Sequence, residues 1–327
     1  MAKPHKFRLF IGILAVFLTA CLSTSLGDGI APGDPDGDLR RALDARIELA
    51  GDRALFIGED RFRFELSDQE HRVAQAVVQI VPYDVDQRRS HGKGVGAVFI
   101  AEGGQQFLLT AAHILYHPRT RQKRAQDVML FSADPNAPPH ILSSDGLPDR
   151  FSSLMPFLTH MDDILLIPIE PMSRVDPLPL TTLNVLNLDA RPITPTGSAL
   201  SAVSCDFLSE DYPTACFAQS FSTLAAERIN LYSAVTSDMD VYPGLSGSPV
   251  LTVFENEISV LGVIISGSRQ SNCPTYALPD CYALVGPMTQ EAQDQALQMD
   301  PLSVREEFRD LSPSERRDIR SGWWRDY

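Results

Sequence analysis

The run Gly244-Leu245-Ser246-Gly247-Ser248-Pro249-Val250 presents one serine between glycines on a small-residue turn that leads into an apolar strand. An alcohol oxygen is a weak nucleophile, and it attacks a carbonyl only when an imidazole takes its proton and a carboxylate orients that imidazole. Both partner types stand upstream, against apolar runs. Thr110-Ala111-Ala112-His113 closes one run, and Asp162-Asp163 precedes Ile164-Leu165-Leu166-Ile167. His113, Asp163 and Ser246 are therefore candidates for acyl transfer, with Asp162 competing for the carboxylate role.

Chain order discriminates among the known arrangements of these groups. α/β-Hydrolases run Ser, Asp, His and subtilisins run Asp, His, Ser. All 7 histidines here precede Ser246, so a hydrolase-type serine turn would have no base. The order His, Asp, Ser and the three motifs resemble those of trypsin-like, chymotrypsin-fold serine peptidases. The Ser-Gly-Ser-Pro-Val ending is most similar to the bacterial branch that includes glutamyl endopeptidases. The matched stretch runs from about residue 72 to residue 288.

This resemblance implies His113 as general base, Asp163 rather than Asp162 as its orienting carboxylate, and Ser246 as nucleophile. The backbone N–H groups of Gly244 and Ser246 would form the oxyanion hole. It also implies an all-β fold of two six-stranded antiparallel β-barrels with the site between them. His113 and Asp163 would come from the first barrel and Ser246 from the second, with short helices at both ends. The expected substrate is a peptide or protein, with no cofactor. In the primary pocket, Asp240 would lie at the base and favour Lys or Arg, and Ser266 and Gly267 would form the wall that pairs with substrate backbone. The segment before the turn lacks the usual cysteine and contains Pro243, so Asp240 as an exposed loop acid is the competing reading. Leu245 stands where zymogen-type relatives carry an aspartate, so the oxyanion hole is expected to be ordered by packing. A catalytically silent peptide-binding lipoprotein of the same fold is the alternative, although such proteins usually lose a triad residue and this chain keeps all three.

Composition agrees with an exported, folded body. A chain of 327 residues that is 44% apolar can bury a large core in one or two domains. The formal charge of −14 argues against nucleic-acid binding, which needs basic surface to neutralise phosphates. Lys3, Lys6 and Arg8 precede an apolar run from Leu9 to Ala20, and Leu18-Thr19-Ala20-Cys21 follows the pattern of a bacterial lipoprotein signal. That resemblance implies lipidation of Cys21 and, with Leu22 next, an outer-membrane anchor facing the periplasm. The run is short for a spanning helix, which needs about 20 residues. Cys205, Cys216, Cys273 and Cys281 remain, and in an oxidising compartment they are expected to be disulfide-bonded. Four cysteines allow three connectivities, with short separations favouring 205–216 and 273–281. Their spacing is not that of a zinc site, and no metal is expected.

The expected organisation is a signal peptide at 1–20, a tether and short helix at 21–70, a peptidase domain at 71–290 and a helical tail at 291–327. A helix is read over 39–50 from its apolar face. Ser67 with Glu70, and Ser312-Pro313-Ser314-Glu315, are capping patterns that start short helices. Strands are expected at 77–81, ending before Pro82, and at 95–100, 107–110, 128–131 and 164–169. In the second half they are expected at 198–203, 215–220, 230–234, 249–254, 259–265 and 282–285, with a helix over 289–299. Gly92-Lys93-Gly94-Val95-Gly96 matches no phosphate-binding pattern and is read as small residues that allow close approach beside the catalytic turn. His117 is read as an exposed loop residue and His91 as a strand-entry residue. Trp323 and Trp324 are expected to cover an apolar patch.

Overall fold

Ser67 begins the first well-capped element, accepting from the N–H of Glu70 at 3.4 Å while its own N–H donates to the Glu70 carboxylate at 2.8 Å. The helix Asp68–Ala76 that follows buries Val73, Ala74 and Ala76, and it ends where Val77 turns into extended backbone. The computed structural model describes residues 54–56, 62–64, 66–84, 89–134, 137–151, 163–186, 199–206, 215–222, 234–236, 244–254, 257–267, 283–306 and 311–321. All of them lie within the unit Ile47–Tyr327. The signal segment with Cys21, the helix expected over 39–50, Asp162, Asp240, Cys273, Cys281, Trp323 and Trp324 lie outside the described residues.

In chain order the strands are β1 (Ala54–Phe56), β2 (Phe62–Phe64), β3 (Val77–Asp84), β4 (Arg89–Ser90), β5 (Gly94–Ile100), β6 (Gln106–Thr110), β7 (Asp127–Ser132), β8 (His140–Ser143) and β9 (Leu165–Ile169). They continue as β10 (Leu178–Pro179), β11 (Val185–Leu186), β12 (Ala199–Asp206), β13 (Ala215–Ser222), β14 (Ala234–Thr236), β15 (Pro249–Phe254), β16 (Glu257–Gly267), β17 (Ala283–Thr289) and β18 (Val304–Glu306). Two mainly antiparallel sheets result. The first runs β18-β8-β7-β3-β5-β6-β9, with β4 on β3 and β10 on β5. The second runs β1-β2-β13-β12-β15-β16-β17-β11, with β14 on β17. The chain is thus mostly β with few helices, as the two-barrel expectation requires. Among the described residues, three strands of two or three residues join six longer ones in the first sheet, and four such short strands join five longer ones in the second.

Pro82 corrects one boundary, because β3 runs through it. Toward β5 the pairing stops at Ile80↔Gly94, so the missing proline donor falls where no ladder partner is needed. Its carbonyl still accepts from the N–H of His91 at 2.9 Å. The short strand β8 was not anticipated either; it is recruited by β7 on one side and β18 on the other.

One apolar core runs through both sheets, joining Phe99, Phe107, Leu108 and Leu109 of the first to Leu251, Val260 and Val263 of the second. The C-terminal segment completes the first sheet. Leu302 exchanges two 2.8 Å backbone bonds with the end of β9, at Pro168 and Glu170, while β18 pairs with β8, so residues 302–306 link the two edge strands. The helix Pro313–Ser321, capped by Ser312, then sends Arg320 into the outer face of this sheet. Arg320 is 3% exposed; it donates to Gln79 at 3.2 Å and to the Ser132 carbonyl at 3.0 Å, and its guanidinium lies 4.7 Å from the Phe131 ring centre. In the second sheet, the directly opposed Cys205 and Cys216 form a disulfide between β12 and β13.

Candidate functional site

Register between β6 and β9 brings the first two site residues together. Thr110 pairs with Leu165, so the residue two before Leu165 lies beside the chain just beyond Thr110. Ala111 is extended, and the chain then coils into the short helix Ala112–Leu115 that carries His113. Asp163 holds this helix through three groups. Its carbonyl accepts from the Ala112 N–H at 3.2 Å, its Oδ1 accepts from the His113 N–H at 2.7 Å, and its Oδ2 lies 2.6 Å from His113 Nδ1. A carboxylate is an acceptor, so this geometry selects the Nδ1–H tautomer and leaves the Nε2 lone pair as the basic site. Both side chains are about one-quarter exposed, at 26% and 23%. The His113 ring is therefore oriented from behind and still reachable.

The turn at Ser246 is held by its backbone. Gly244 and Gly247 have φ of 99° and 86°, values that side chains with a Cβ rarely adopt. The N–H of Gly247 donates to Ile264 at 2.7 Å and that of Ser248 to Leu245 at 3.1 Å, while Ile264 returns a 3.0 Å bond to Ser248. Among the described residues, the N–H groups of Gly244 and Ser246 donate to no backbone acceptor. Leu245 is fully buried, and Ser246 is partly exposed.

Two glycines join the halves. A Cβ on Gly247 would sit 1.8 Å from the Val95 carbonyl oxygen and 2.7 Å from Thr110 Oγ1, and that hydroxyl donates to the same carbonyl at 2.7 Å. A Cβ on Gly94 would sit 2.2 Å from Ile114 Cδ1, beside His113, and 3.0 Å from the Ser246 carbonyl oxygen. That carbonyl in turn accepts from Val95 N–H at 2.8 Å. The helix of His113 and the turn of Ser246 thus converge on one strand end. Among the described residues the His113 ring is bonded to Asp163 and not to Ser246.

No protein-family model and no curated protein sequence matches the chain. Solved structures similar to it include a Glu endopeptidase in complex with MPD, at 13% identity and a TM-score of 0.46, covering 73% of this chain and 96% of that one. A protease from M. tuberculosis in its active form is 16% identical with a TM-score of 0.42, over 72% of this chain and 86% of that one. A scabies mite inactivated protease paralogue is 13% identical with a TM-score of 0.41, over 72% and 96%. At these identities, the roles of individual residues have to be read from this chain's own geometry.

The remaining expected site residues divide by place. Ser266 and Gly267 end β16 and pair with Leu284 and Ala283 of β17. On the other edge the pairing of β15 ends at Pro249↔Val263, so it does not reach them. Asp240 lies outside the described residues. The Gly92–Gly96 stretch does lie beside the turn: the Lys93 side chain, 8% exposed, packs so that a Cβ on Gly244 would be 2.9 Å from its Cε. His117 is exposed, and its Nδ1 accepts from the N–H groups of Arg119 and Thr120 at 3.2 Å each. His91 pairs with Asp84 at 2.6 Å. Among the described residues no group of three or more His, Cys, Asp or Glu side chains could hold a metal ion.

Arg124 is the residue that sequence reading missed. It sits in a basic loop with no motif, and only the fold shows that its guanidinium reaches the carbonyls of His113, Tyr116 and His91. Nearby, Tyr116 donates to Pro148 at 3.1 Å. Burial, and secondarily the negative charge of Asp149, push its hydroxyl up to about 12.

Proposed function

We propose that this chain is a serine endopeptidase working through an acyl-enzyme, with Ser246 as nucleophile, His113 as base and Asp163 as orienting carboxylate. The observation that carries the reading is the doubly bonded Asp163–His113 pair, set on the strand end that also holds the Ser246 turn. Ser246 Oγ bonds to the substrate carbonyl carbon as its proton passes to His113 Nε2, and the carbonyl oxygen becomes an anion facing the N–H groups of Gly244 and Ser246. The C–N bond then breaks, with the imidazolium giving its proton to the leaving amine. Water, deprotonated by the same imidazole, attacks the ester and frees Ser246.

Substrate backbone is taken to add along Ser266 and Gly267, on the edge that β15 leaves uncovered, as a strand adds to a sheet. Asp240 as the pocket base belongs to this proposal, as does anchoring to a bacterial envelope through lipidated Cys21. The buried Leu245 supports an oxyanion turn ordered by packing, without a newly freed N-terminus. A serine-directed fluorophosphonate tests the nucleophile assignment and the packing account together. The intact chain is expected to label at Ser246 at once. Ser246→Ala is expected to stay folded, lose labelling and lose peptide hydrolysis by several powers of ten. A folded parent that never labels would indicate the silent peptide-binding alternative, and labelling only after N-terminal clipping would overturn the packing account.

A further inference from the structure

We infer that Arg124 is a positioning residue that sets the distance between the base and the nucleophile turn, an inference that rests on the serine-peptidase reading. The helix Ala112–Leu115 is only four residues long, too short to hold its own shape, and its last carbonyls have no partner within the helix. Tyr116 and Lys123 bridge as an antiparallel pair, turning the chain back so that Arg124 lies under this helix. There its N–H donates to Leu115 at 2.9 Å, and its Nε donates to the carbonyls of His113 at 3.0 Å and Tyr116 at 3.3 Å. A cation at a helix C-terminus is also favoured by the aligned peptide dipoles.

The other end of the guanidinium does something different. Its Nη1 donates to the His91 carbonyl at 2.9 Å. His91 opens the stretch whose Lys93 lies against Gly244, whose Gly94 lies against Ile114, and whose Val95 N–H holds the Ser246 carbonyl. One rigid, planar group therefore ties the backbone at His113 to the stretch leading into β5, whose Val95 N–H bonds the Ser246 turn. His91 is itself fixed at its ring by Asp84, so the anchor does not swing freely. Asp163 orients the imidazole; Arg124 sets where that imidazole stands relative to Ser246. A lysine can reach one carbonyl as a point donor but cannot span the pair, so Arg124→Lys should restore only part of the effect.

The test measures fluorophosphonate labelling of the full chain against probe concentration, giving a maximal rate and a half-saturating concentration, with thermal unfolding recorded alongside. For Arg124→Gln the maximal rate is expected to fall about 10- to 100-fold at unchanged half-saturation, because a displacement of about 1 Å costs that much in a reaction between fixed groups. Arg124→Lys should fall between the two, and Arg119→Gln, on the exposed loop, should match the parent. Labelling of a folded Arg124→Gln within twofold of the parent would overturn the inference, as would a folded Arg124→Lys that labels no faster than Arg124→Gln. So would a loss fully accounted for by the fraction unfolded. A parent that itself fails to label overturns the serine assignment, which keeps the two failures distinct.

Discussion

The His113 half of the candidate site is positioned by polar side chains, whereas the Ser246 half is positioned by backbone shape. Asp163 reaches His113 through its main chain and its ring, and Arg124 reaches the same helix from below. Around Ser246, by contrast, two glycines at positive φ, a buried leucine and a ladder of main-chain bonds to Ile264 supply the order. Under the proposed mechanism, the division follows from what each half must deliver. A base needs the right tautomer and ring orientation, which only a hydrogen-bonding side chain can impose. An oxyanion hole needs main-chain N–H vectors aimed at one point, which only a particular run of backbone dihedrals can supply.

That contrast can be tested from its largest consequence downward. Asp163→Asn keeps the shape but offers a donor where an acceptor is needed, so it favours the wrong tautomer. It is expected to lower kcat by about 10⁴ while leaving the unfolding midpoint close to that of the parent. A drop of less than tenfold would show that orientation of the base does not depend on this carboxylate. Gly247→Ala is the matching blow to the other half. Its Cβ would collide with the Val95 carbonyl at a backbone angle that alanine resists, and a loss of about 3 kcal/mol in urea unfolding is expected. Gly103→Ala, where a Cβ meets nothing within 4 Å, should stay within about 0.5 kcal/mol. Equal effects at the two glycines would remove the case for a shape-determined turn.

The smallest effect concerns the loop that follows His113. The Tyr116 hydroxyl is pushed up to about 12 by burial and then by Asp149, against about 10 in an unfolded chain. The folded state therefore holds this proton more tightly. The resulting stability is complete below about pH 10 and is lost as pH rises toward about 12. Urea midpoints for the parent should fall across that window, and Tyr116→Phe should flatten the fall, at the cost of about 1 kcal/mol near neutrality from the lost bond to Pro148. An unchanged alkaline slope in Tyr116→Phe would assign the fall to other groups.

Much of this architecture was legible locally. The serine of each capping box, at 67 and 312, shows its role within four residues, because a cap is satisfied by its own helix. Strands such as β5, β6 and β15 announce themselves through apolar runs bounded by turn residues. Strand ends were harder to read: β3 continues through Pro82 because what proline lacks matters only where a neighbour asks for it. The strand β8, with its few residues, is held by both of its neighbours and carries little signal of its own.

The amino-acid order alone determined which residue types were available for chemistry and the order in which His113, Asp163 and Ser246 occur, since these are properties of a string. Tertiary structure decided that Asp163 lies against His113 across 50 residues, that Leu302 and β18 link the edges of the first sheet, and that Arg124 spans the carbonyls of His91 and His113. These contacts depend on the register between strands far apart in the chain. Register is set by the packing of the whole apolar core, so no short window of sequence carries it.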